Sequence, residues 1–357
     1  MKPPIPRPFL PAVGGTLVLL SLAALLALFH FQGGAPAAPQ AIGTPSAPAA
    51  VQVYFTQPGE QAQPAERALV DAIDAARFTL DVATYHFNLW SVREALLRAQ
   101  RRGVKVRMVV ESDNILEPEV AELAEAGIPV VGDRRAGLMH HKFVVIDGLD
   151  TWTGSMNLTY GGAREDHNNL LSLRSTELAE DFGREFEEMF VDARFGGASK
   201  PDTPHPRLQL DGAEVEVLFS PDDRVAARLV GLVREARRSI DVMAFAFTSD
   251  ALAEAMLDRA QDGVTVRGVF DEGQAGGAGA EFGRLQQAGL DVRLERSPGL
   301  LHHKVIILDG ETVITGSYNF TRSAEEQNDE AVLILHDPGL AQRYLEEFEA
   351  LFQDAAP

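Results

Sequence analysis

Cysteine is absent from the 357 residues. That excludes structural disulfides and thiolate catalysis, and a zinc site would have to be built from histidine and carboxylates alone. Basic residues are scarce beside acidic ones: 32 Lys and Arg stand against 52 Asp and Glu, for a net charge of −20. Residues 1–50 carry +2 from Lys2 and Arg7, so the remainder carries −22. The chain therefore has little material for a broad cationic surface of the kind that binds nucleic acid regardless of sequence, and leaves room for a local basic cleft. Aromatics are few, at 7%, which leaves little material for large lipid-docking loops. Hydrophobic residues make up 45% of the chain, enough for two ordinary domains with cores of their own.

One long apolar run is present. Lys2 and Arg7 precede an uncharged stretch from Phe9 to Phe31 whose centre, Leu17 to Phe29, is almost wholly aliphatic. A positive segment followed by an apolar one is the pattern of a secretory signal, and its length approaches that of a membrane anchor. The Pro/Ala/Gly-rich stretch from Gly33 to Pro48 reads as a linker, and Ala35-Pro36-Ala37 resembles a poor cleavage site. Residues 1–50 are thus expected to export the chain. The globular part would lie outside the cytoplasm, either released or held at the membrane by this segment.

Beyond the linker the chain reads twice through one programme. Phe78–Phe87 recurs as Arg238–Phe247, both apolar and partly β-branched, as short buried strands are. Each is followed by a helical pattern ending in glycine, Val92–Gly103 and Leu252–Gly263, then by strands Val104–Val110 and Val264–Phe270. Alternation of strand and helix predicts α/β domains with largely parallel sheets. The two units are expected at 51–197 and 207–357, divided by the Gly/Pro/Ser-rich loop near Gly196–Pro206.

The chemistry sits in a segment also present twice. Gly137-Leu-Met-His-His-Lys-Phe-Val-Val-Ile-Asp147 matches Gly299-Leu-Leu-His-His-Lys-Val-Ile-Ile-Leu-Asp309, each followed by Gly-Ser-x-Asn at 154–157 and 316–319. One H-x-K-x4-D at a given start is on the order of one in ten thousand from residue usage. Two in register are not chance. Along a strand alternate residues share a face, so His140 points with Lys142 and His302 with Lys304. Asp147 and Asp309, counted with the catalytic set because they complete the motif, have the opposite parity and are expected to fix local structure. His141 and His303 also face away and read as structural.

A neutral imidazole attacks phosphorus, and a protonated one gives its proton to the leaving oxygen. Two ammonium groups, with Ser155, Asn157, Ser317 and Asn319 as further donors, would hold the phosphoryl oxygens and offset transition-state charge. Lysine then supplies what a metal supplies elsewhere, and no cofactor is expected. Gly-Ser is also an ordinary turn signal, but its duplication favours phosphate contact.

These motifs resemble those of the phospholipase D superfamily over roughly residues 51–355. The resemblance implies two similar α/β domains packed about a pseudo-two-fold axis, with one active site at their interface and no need for a homodimer. It implies a covalent phosphohistidine on one histidine, with the other as general acid and then base. His140, Lys142, Asn157, His302, Lys304 and Asn319 fall in its phosphate pocket, and Glu330 falls at the position of a carboxylate that orients a histidine. The aligned residue of the first copy is Asn168, with Glu165 and Asp166 nearby. A carboxylate partner favours the charged imidazole. His302, if paired with Glu330, would be the acid and His140 the nucleophile.

The superfamily includes phospholipid hydrolases, nucleases and cardiolipin-synthase-like transferases, and the shared motifs do not separate them. Export and acidity favour a phospholipid substrate over nucleic acid, while the 162-residue spacing of the motifs resembles the compact nuclease and cardiolipin-hydrolase branch. Transferases usually resemble chains with two apolar segments. Arg134, Arg135 and Arg296, just before the motifs, are candidates for a headgroup or a nucleic-acid backbone.

Overall fold

The computed structural model describes residues 50–59, 63–296 and 298–356. The expected export segment and its linker, through Pro48, lie outside the described residues. No helix among the described residues is long and apolar enough to cross a membrane.

The first copy begins β1 (Val51–Thr56), α1 (Pro64–Ala75), β2 (Thr79–Thr84), α2 (Trp90–Arg101), β3 (Lys105–Val110) and α3 (Pro118–Glu125). It continues β4 (Val130–Gly132), β5 (Lys142–Ile146), β6 (Asp150–Gly154), α4 (Tyr160–Arg164), β7 (Asn168–Arg174) and α5 (Thr176–Phe190). The second copy begins β8 (Arg207–Leu210), β9 (Ala213–Ser220), α6 (Val225–Glu235), β10 (Ser239–Ala244), α7 (Asp250–Gln261) and β11 (Thr265–Asp271). After α8 (Glu272–Ala275) and α9 (Phe282–Gln287) come β12 (Asp291–Glu295), β13 (Lys304–Leu308) and β14 (Thr312–Gly316). It ends with α10 (Arg322–Glu326), β15 (Glu330–His336) and α11 (Pro338–Asp354). Gly103 and Gly263 follow α2 and α7 with φ of 91° and 90°, the left-handed step that stops a helix and that glycine takes without strain.

The sheets are mixed, a departure from the largely parallel expectation. The first runs β1-β7-β6-β5-β2-β3-β4 and the second β12-β11-β10-β13-β14-β15-β9-β8. Only β2-β3-β4 and β10-β11-β12 are parallel, joined by crossover helices. The motif strands are antiparallel because β5 and β6 form a tight hairpin, as do β13 and β14. Each turn is Asp-Gly, with φ of 54° and 60° at Asp147-Gly148 and 56° and 65° at Asp309-Gly310. The chain closes from Leu149 N–H to the Ile146 carbonyl and from Glu311 N–H to Leu308. Positive φ at both central residues suits the right-handed twist of the flanking strands, and Asp-Gly is the dipeptide that adopts it readily.

Strand parity divides the apolar residues into three cores. Val144 and Ile146 face α1 and α2, and Ile306 and Leu308 face α6 and α7, giving each copy an outer core of its own. Phe143, Val145, Val305 and Ile307 face inward, where they join α5 and α11 in one shared core. Helix α5 contributes Leu178, Phe182, Phe186 and Met189, spaced to lie along one stripe. Phe182 packs edge-on against Phe143 of its own copy at 5.1 Å and Phe219 of the other at 5.2 Å. Residues 48–357 accordingly form one compact unit.

Replacing Phe182 by Ala should cost about 3–5 kcal/mol, the usual penalty for emptying a closed aromatic site. Because the ring touches both copies, urea unfolding should remain one transition with a lowered midpoint; two separated transitions would show that the shared core does not couple them.

Candidate active site

Four backbone hydrogen bonds weave the two motif segments into each other's copy. Asp329 N–H donates to the Leu138 carbonyl at 2.9 Å, and His140 N–H donates to Asp329 at 3.0 Å. In the mirror arrangement His167 N–H reaches Leu300 at 2.8 Å, and His302 N–H reaches His167 at 2.9 Å. The residues preceding β5 therefore lie beside the start of β15, and those preceding β13 beside the start of β7.

This weave sets the partners of the histidines and corrects the expected pairing. Glu330 does not orient His302; its Oε2 lies 2.7 Å from Nδ1 of His140, in the other copy. Nδ1 of His302 lies 2.8 Å from Oδ1 of Asn168. Neither Asp166 nor Glu165 takes that place, since the Asp166 carboxylate accepts Leu300 N–H instead. Local sequence alignment pairs each histidine with its own copy's downstream residue, whereas the strands pair it with the opposite one.

Ser155 and Ser317 are also corrected. Both are fully buried. The Ser317 hydroxyl donates to Glu330 Oε2 at 2.7 Å and accepts Ala331 N–H at 3.0 Å, while Ser155 donates to Asn168 Oδ1 at 2.9 Å and accepts Asn169 N–H at 3.0 Å. With those bonds made, the serines hold the residues that hold the histidines, and do not face a phosphate. Asn168 is further fixed by donating from Nδ2 to the Gly162 carbonyl at 3.0 Å. Its Oδ1 is thus an acceptor, and His302 must carry its proton on Nδ1 and leave the Nε2 lone pair bare. Ionised Glu330 imposes the same tautomer on His140. Asn157 and Asn319 each keep a buried amide oxygen without a hydrogen bond among the described residues.

Lys142 and Lys304 are 3% and 1% exposed. Each donates from Nζ to the carbonyl of its own motif histidine, at 2.7 and 2.8 Å. Each also lies over an aromatic ring, Tyr85 at 5.3 Å and Phe245 at 4.9 Å. The same rings pack edge-on against His140 and His302 at 4.9 and 5.0 Å. Sequence reasoning took Tyr85 and Phe245 only as strand residues; an aromatic at the same place in both copies was the available signal.

Burial and mutual repulsion shape the protonation of this group. Burial, then the lysine charges, hold His140 and His302 well below the usual imidazole range. Burial lowers Lys142 to about 7 and, with repulsion from Lys142, depresses Lys304 as well. Burial raises Glu330 to about 7, against the pull of Lys142 and its hydrogen bonds. The pocket gathers four nitrogen bases around one carboxylate, a composition that favours an incoming anion.

Asp147 and Asp309, counted with the catalytic set, are placed elsewhere. Asp147 accepts the N–H groups of Arg77, Phe78 and Thr79, and Asp309 those of Arg237, Arg238 and Ser239. They tie the hairpin turn to the start of β2 or β10, as strand parity required. His141 binds Glu185 at 2.9 Å, and His303 binds Asn169 at 3.1 Å, both fully buried beside the central helices. Arg135 is no substrate ligand either: it bridges the copies to Asp329 and to the Gln327 carbonyl. Arg296 pairs with Glu272 at 2.9 Å. Among the described residues no group of three His, Asp or Glu side chains is placed to hold a metal ion.

The family model of the cardiolipin synthase, PLD-like domain matches residues 69–190 and 229–352, most of both copies. The chain belongs to the phospholipase D superfamily. Within that superfamily, the mitochondrial cardiolipin hydrolase of Xenopus tropicalis is 38% identical over 135 residues, covering 38% of this chain and 64% of that protein. The phospholipase D of Rickettsia bellii is 32% identical over 150 residues, covering 40% of this chain and 75% of its own. The chain thus spans just under two thirds of the frog protein, and each alignment takes in less than half of this chain. The phosphatidylserine synthase of Haemophilus influenzae shares the fold across both copies, with TM-score 0.66 at 13% identity over 85% of this chain and 87% of that one.

Binding of a dialkyl phosphate, which stays a monoanion from pH 6 to 9, tests the electrostatics. Lys142 must be charged to hold it, so above the empty-site value of about 7 binding takes up a proton and weakens by roughly tenfold per pH unit. Ionisation of Glu330 acts in the same direction. Calorimetric affinity that stays flat across this range would remove Lys142 from the anion site.

Proposed function

We propose that the chain is a phosphodiesterase of phospholipase D type that removes headgroups from phospholipids through a covalent phosphohistidine, using His140 as nucleophile and His302 as acid and base. The observation that carries this is the pair of Nε2-bare imidazoles, one backed by a carboxylate and one by an amide, beside two buried lysines.

Charge change decides the roles. The attacking imidazole gains positive charge as its N–P bond forms, and the acid loses positive charge as its proton leaves. A carboxylate behind the attacker therefore strengthens its hold as the transition state is approached, whereas behind the acid it would oppose proton loss. Glu330 behind His140 and neutral Asn168 behind His302 are in the favourable arrangement. His140 keeps the role first expected, for a different reason. Arrival of the diester's negative charge favours protonation of His302, whose Nε2–H then passes to the leaving oxygen as the P–O bond breaks. Neutral His302 next takes a proton from water, the water oxygen bonds to phosphorus, the N–P bond breaks, and the phosphate monoester leaves. Lys142 and Lys304 hold the non-bridging oxygens throughout, so the positive charge at phosphorus comes from the protein itself.

A phospholipid is supported by three separate considerations. The acidic body disfavours a polyanion. The N-terminal apolar segment, which we infer exports the chain to the extracytoplasmic side, places it beside a membrane. Relatives named cardiolipin hydrolase and phospholipase D act in the same chemical class.

Full-length protein incubated with phosphatidylcholine, cardiolipin and single-stranded DNA in parallel, with EDTA present, should release headgroup or phosphatidic acid and leave DNA intact. Cleavage of DNA alone would overturn the lipid assignment. Rapid acid quenching should trap phosphate on His140; phosphate on His302 would reverse the roles. Glu330→Gln should keep the fold and lower turnover of a soluble chromogenic diester by on the order of 10²-fold or more, as loss of the group orienting a catalytic histidine does. Unchanged turnover would mean that the carboxylate does not act through His140.

A further inference from the structure

Six large apolar side chains are left exposed among the described residues, and three of them, Leu116 (87%), Trp90 (57%) and Tyr160 (50%), follow strands of the first copy's sheet at the edge where β5 begins beside His140. Leu116 lies on the loop that leaves the C-terminal end of β3, and Trp90 and Tyr160 open α2 and α4, the helices that follow the C-terminal ends of β2 and β6. These segments are tied to one another and to the site. Tyr160 N–H donates to Asn88 Oδ1 at 2.9 Å, and Asn114 Nδ2 donates to the carbonyl of Tyr85, the residue whose ring packs on His140, at 2.8 Å. His86 meets Glu117 at 3.4 Å.

The second copy does not repeat this surface. At the duplicated positions, Trp90 is replaced by Asp250, Leu116 by Gly276 and Tyr160 by Arg322, all exposed. At these three positions the first copy is apolar and the second is not, around a motif that is the same in both.

We propose that the first copy's side of the mouth is a docking rim whose Trp90, Leu116 and Tyr160 side chains enter the interface of a zwitterionic phospholipid bilayer and bring its phosphodiester to His140. The proposal rests on the phospholipid assignment and identifies the surface that presents the substrate. Tryptophan and tyrosine pair an apolar ring with a polar edge and settle at the headgroup level of bilayers. Three side chains serve here in place of the long docking loops that the composition excludes. Charge selects the kind of surface. A body near −20 is repelled by a strongly anionic bilayer. A stacking platform for single-stranded nucleic acid needs cations free to follow the backbone. The cations beside these rings are engaged, Arg93 with Glu94 and Glu122 and Arg164 with Glu66, the latter guanidinium also bracing the Tyr160 ring at 5.3 Å.

Two tryptophans make the test direct. Trp152 is buried and stacked on Tyr54 at 5.8 Å, so a quencher in the membrane reads Trp90. Full-length protein mixed with phosphatidylcholine vesicles containing acyl-brominated lipid should lose Trp90 emission, and Trp90→Phe should abolish that loss. A residue-specific signal is unaffected by any membrane hold of the N-terminal segment. The triple variant Trp90→Ser, Leu116→Ser, Tyr160→Ser should cleave vesicle phosphatidylcholine about tenfold or more slowly and a soluble chromogenic diester within about twofold of the native rate; Trp90→Ser alone gives the same comparison if the triple variant is poorly folded. Native-rate vesicle cleavage by the variants, with Trp90 unquenched, would overturn the rim and leave the phospholipid assignment standing. Native protein that cleaves the soluble diester and DNA but no vesicle lipid would overturn that assignment itself. Quenching of Trp90 by single-stranded DNA and not by lipid would make the rim a base-stacking surface and overturn the proposal.

Discussion

Each motif imidazole is held by a side chain from the opposite copy, and the remainder of the site depends on that crossing. His140 leans on Glu330 and His302 on Asn168. The crossing is held by main-chain bonds at Leu138, Asp329, His167 and Leu300, by Arg135 reaching Asp329, and by Phe182 in the core behind. Neither copy has a complete centre alone. A histidine in the first half without Glu330 would have no acceptor for Nδ1, and the tautomer that bares Nε2 would no longer be imposed. Folding of the two halves into one unit is therefore a condition of the chemistry as well as of stability.

The pocket built this way is electrostatically uncomfortable when empty. Two ammonium groups and two imidazoles are withdrawn from water with a single carboxylate among them, and burying unmatched charge is costly. The protein meets this by lowering its own charge: Lys142 falls to about 7, Lys304 falls with it, and Glu330 rises to about 7. The depression of both lysines, caused first by burial, marks a pocket that lacks a counter-ion. In the proposed reaction a phosphodiester supplies that anion, and the growing negative charge on its oxygens during attack meets the demand further. Stabilisation is thus greatest where charge is greatest, along the reaction path.

Much of this was legible in residue types and spacing. The duplication, the His and Lys of both motifs, their shared face and the opposite parity of Asp147, Asp309, His141 and His303 follow from period-two alternation. What escaped was everything set by pairing between distant strands. Asp147-Gly148 is a hairpin signal in the sequence, yet the strand-helix alternation around it suggested parallel strands. Ser155 and Ser317 carry hydroxyls fit for phosphate, but which atoms they reach depends on the register of β6 against β7 and β14 against β15. The partner exchange between Glu330 and Asn168 is not a local property at all. Alignment of the copies finds the equivalent residues, but not which copy each one serves.

The crossing also constrains where the two copies can differ. Residues that form the pocket, hold its orienting side chains or close the turns are alike in both halves: His140 and His302, Lys142 and Lys304, Ser155 and Ser317, and the Asp-Gly turns. The copies differ at core positions such as Phe143 and Val305, and also at residues that serve a single histidine. Asn168 against Glu330 separates the two imidazoles in their ability to carry charge. Asn169 donates to His303 Nδ1 at 3.1 Å, while the matching Ala331 leaves His141 Nδ1 without a hydrogen bond among the described residues. Such inequality biases the division of roles: an imidazole that gains charge on attack is best served by a carboxylate, and one that gives its proton away by a neutral amide. In a single chain carrying two copies, Asn168 can change without changing Glu330. Exchange of the pairs across the interface then delivers that single difference to the two reacting nitrogens.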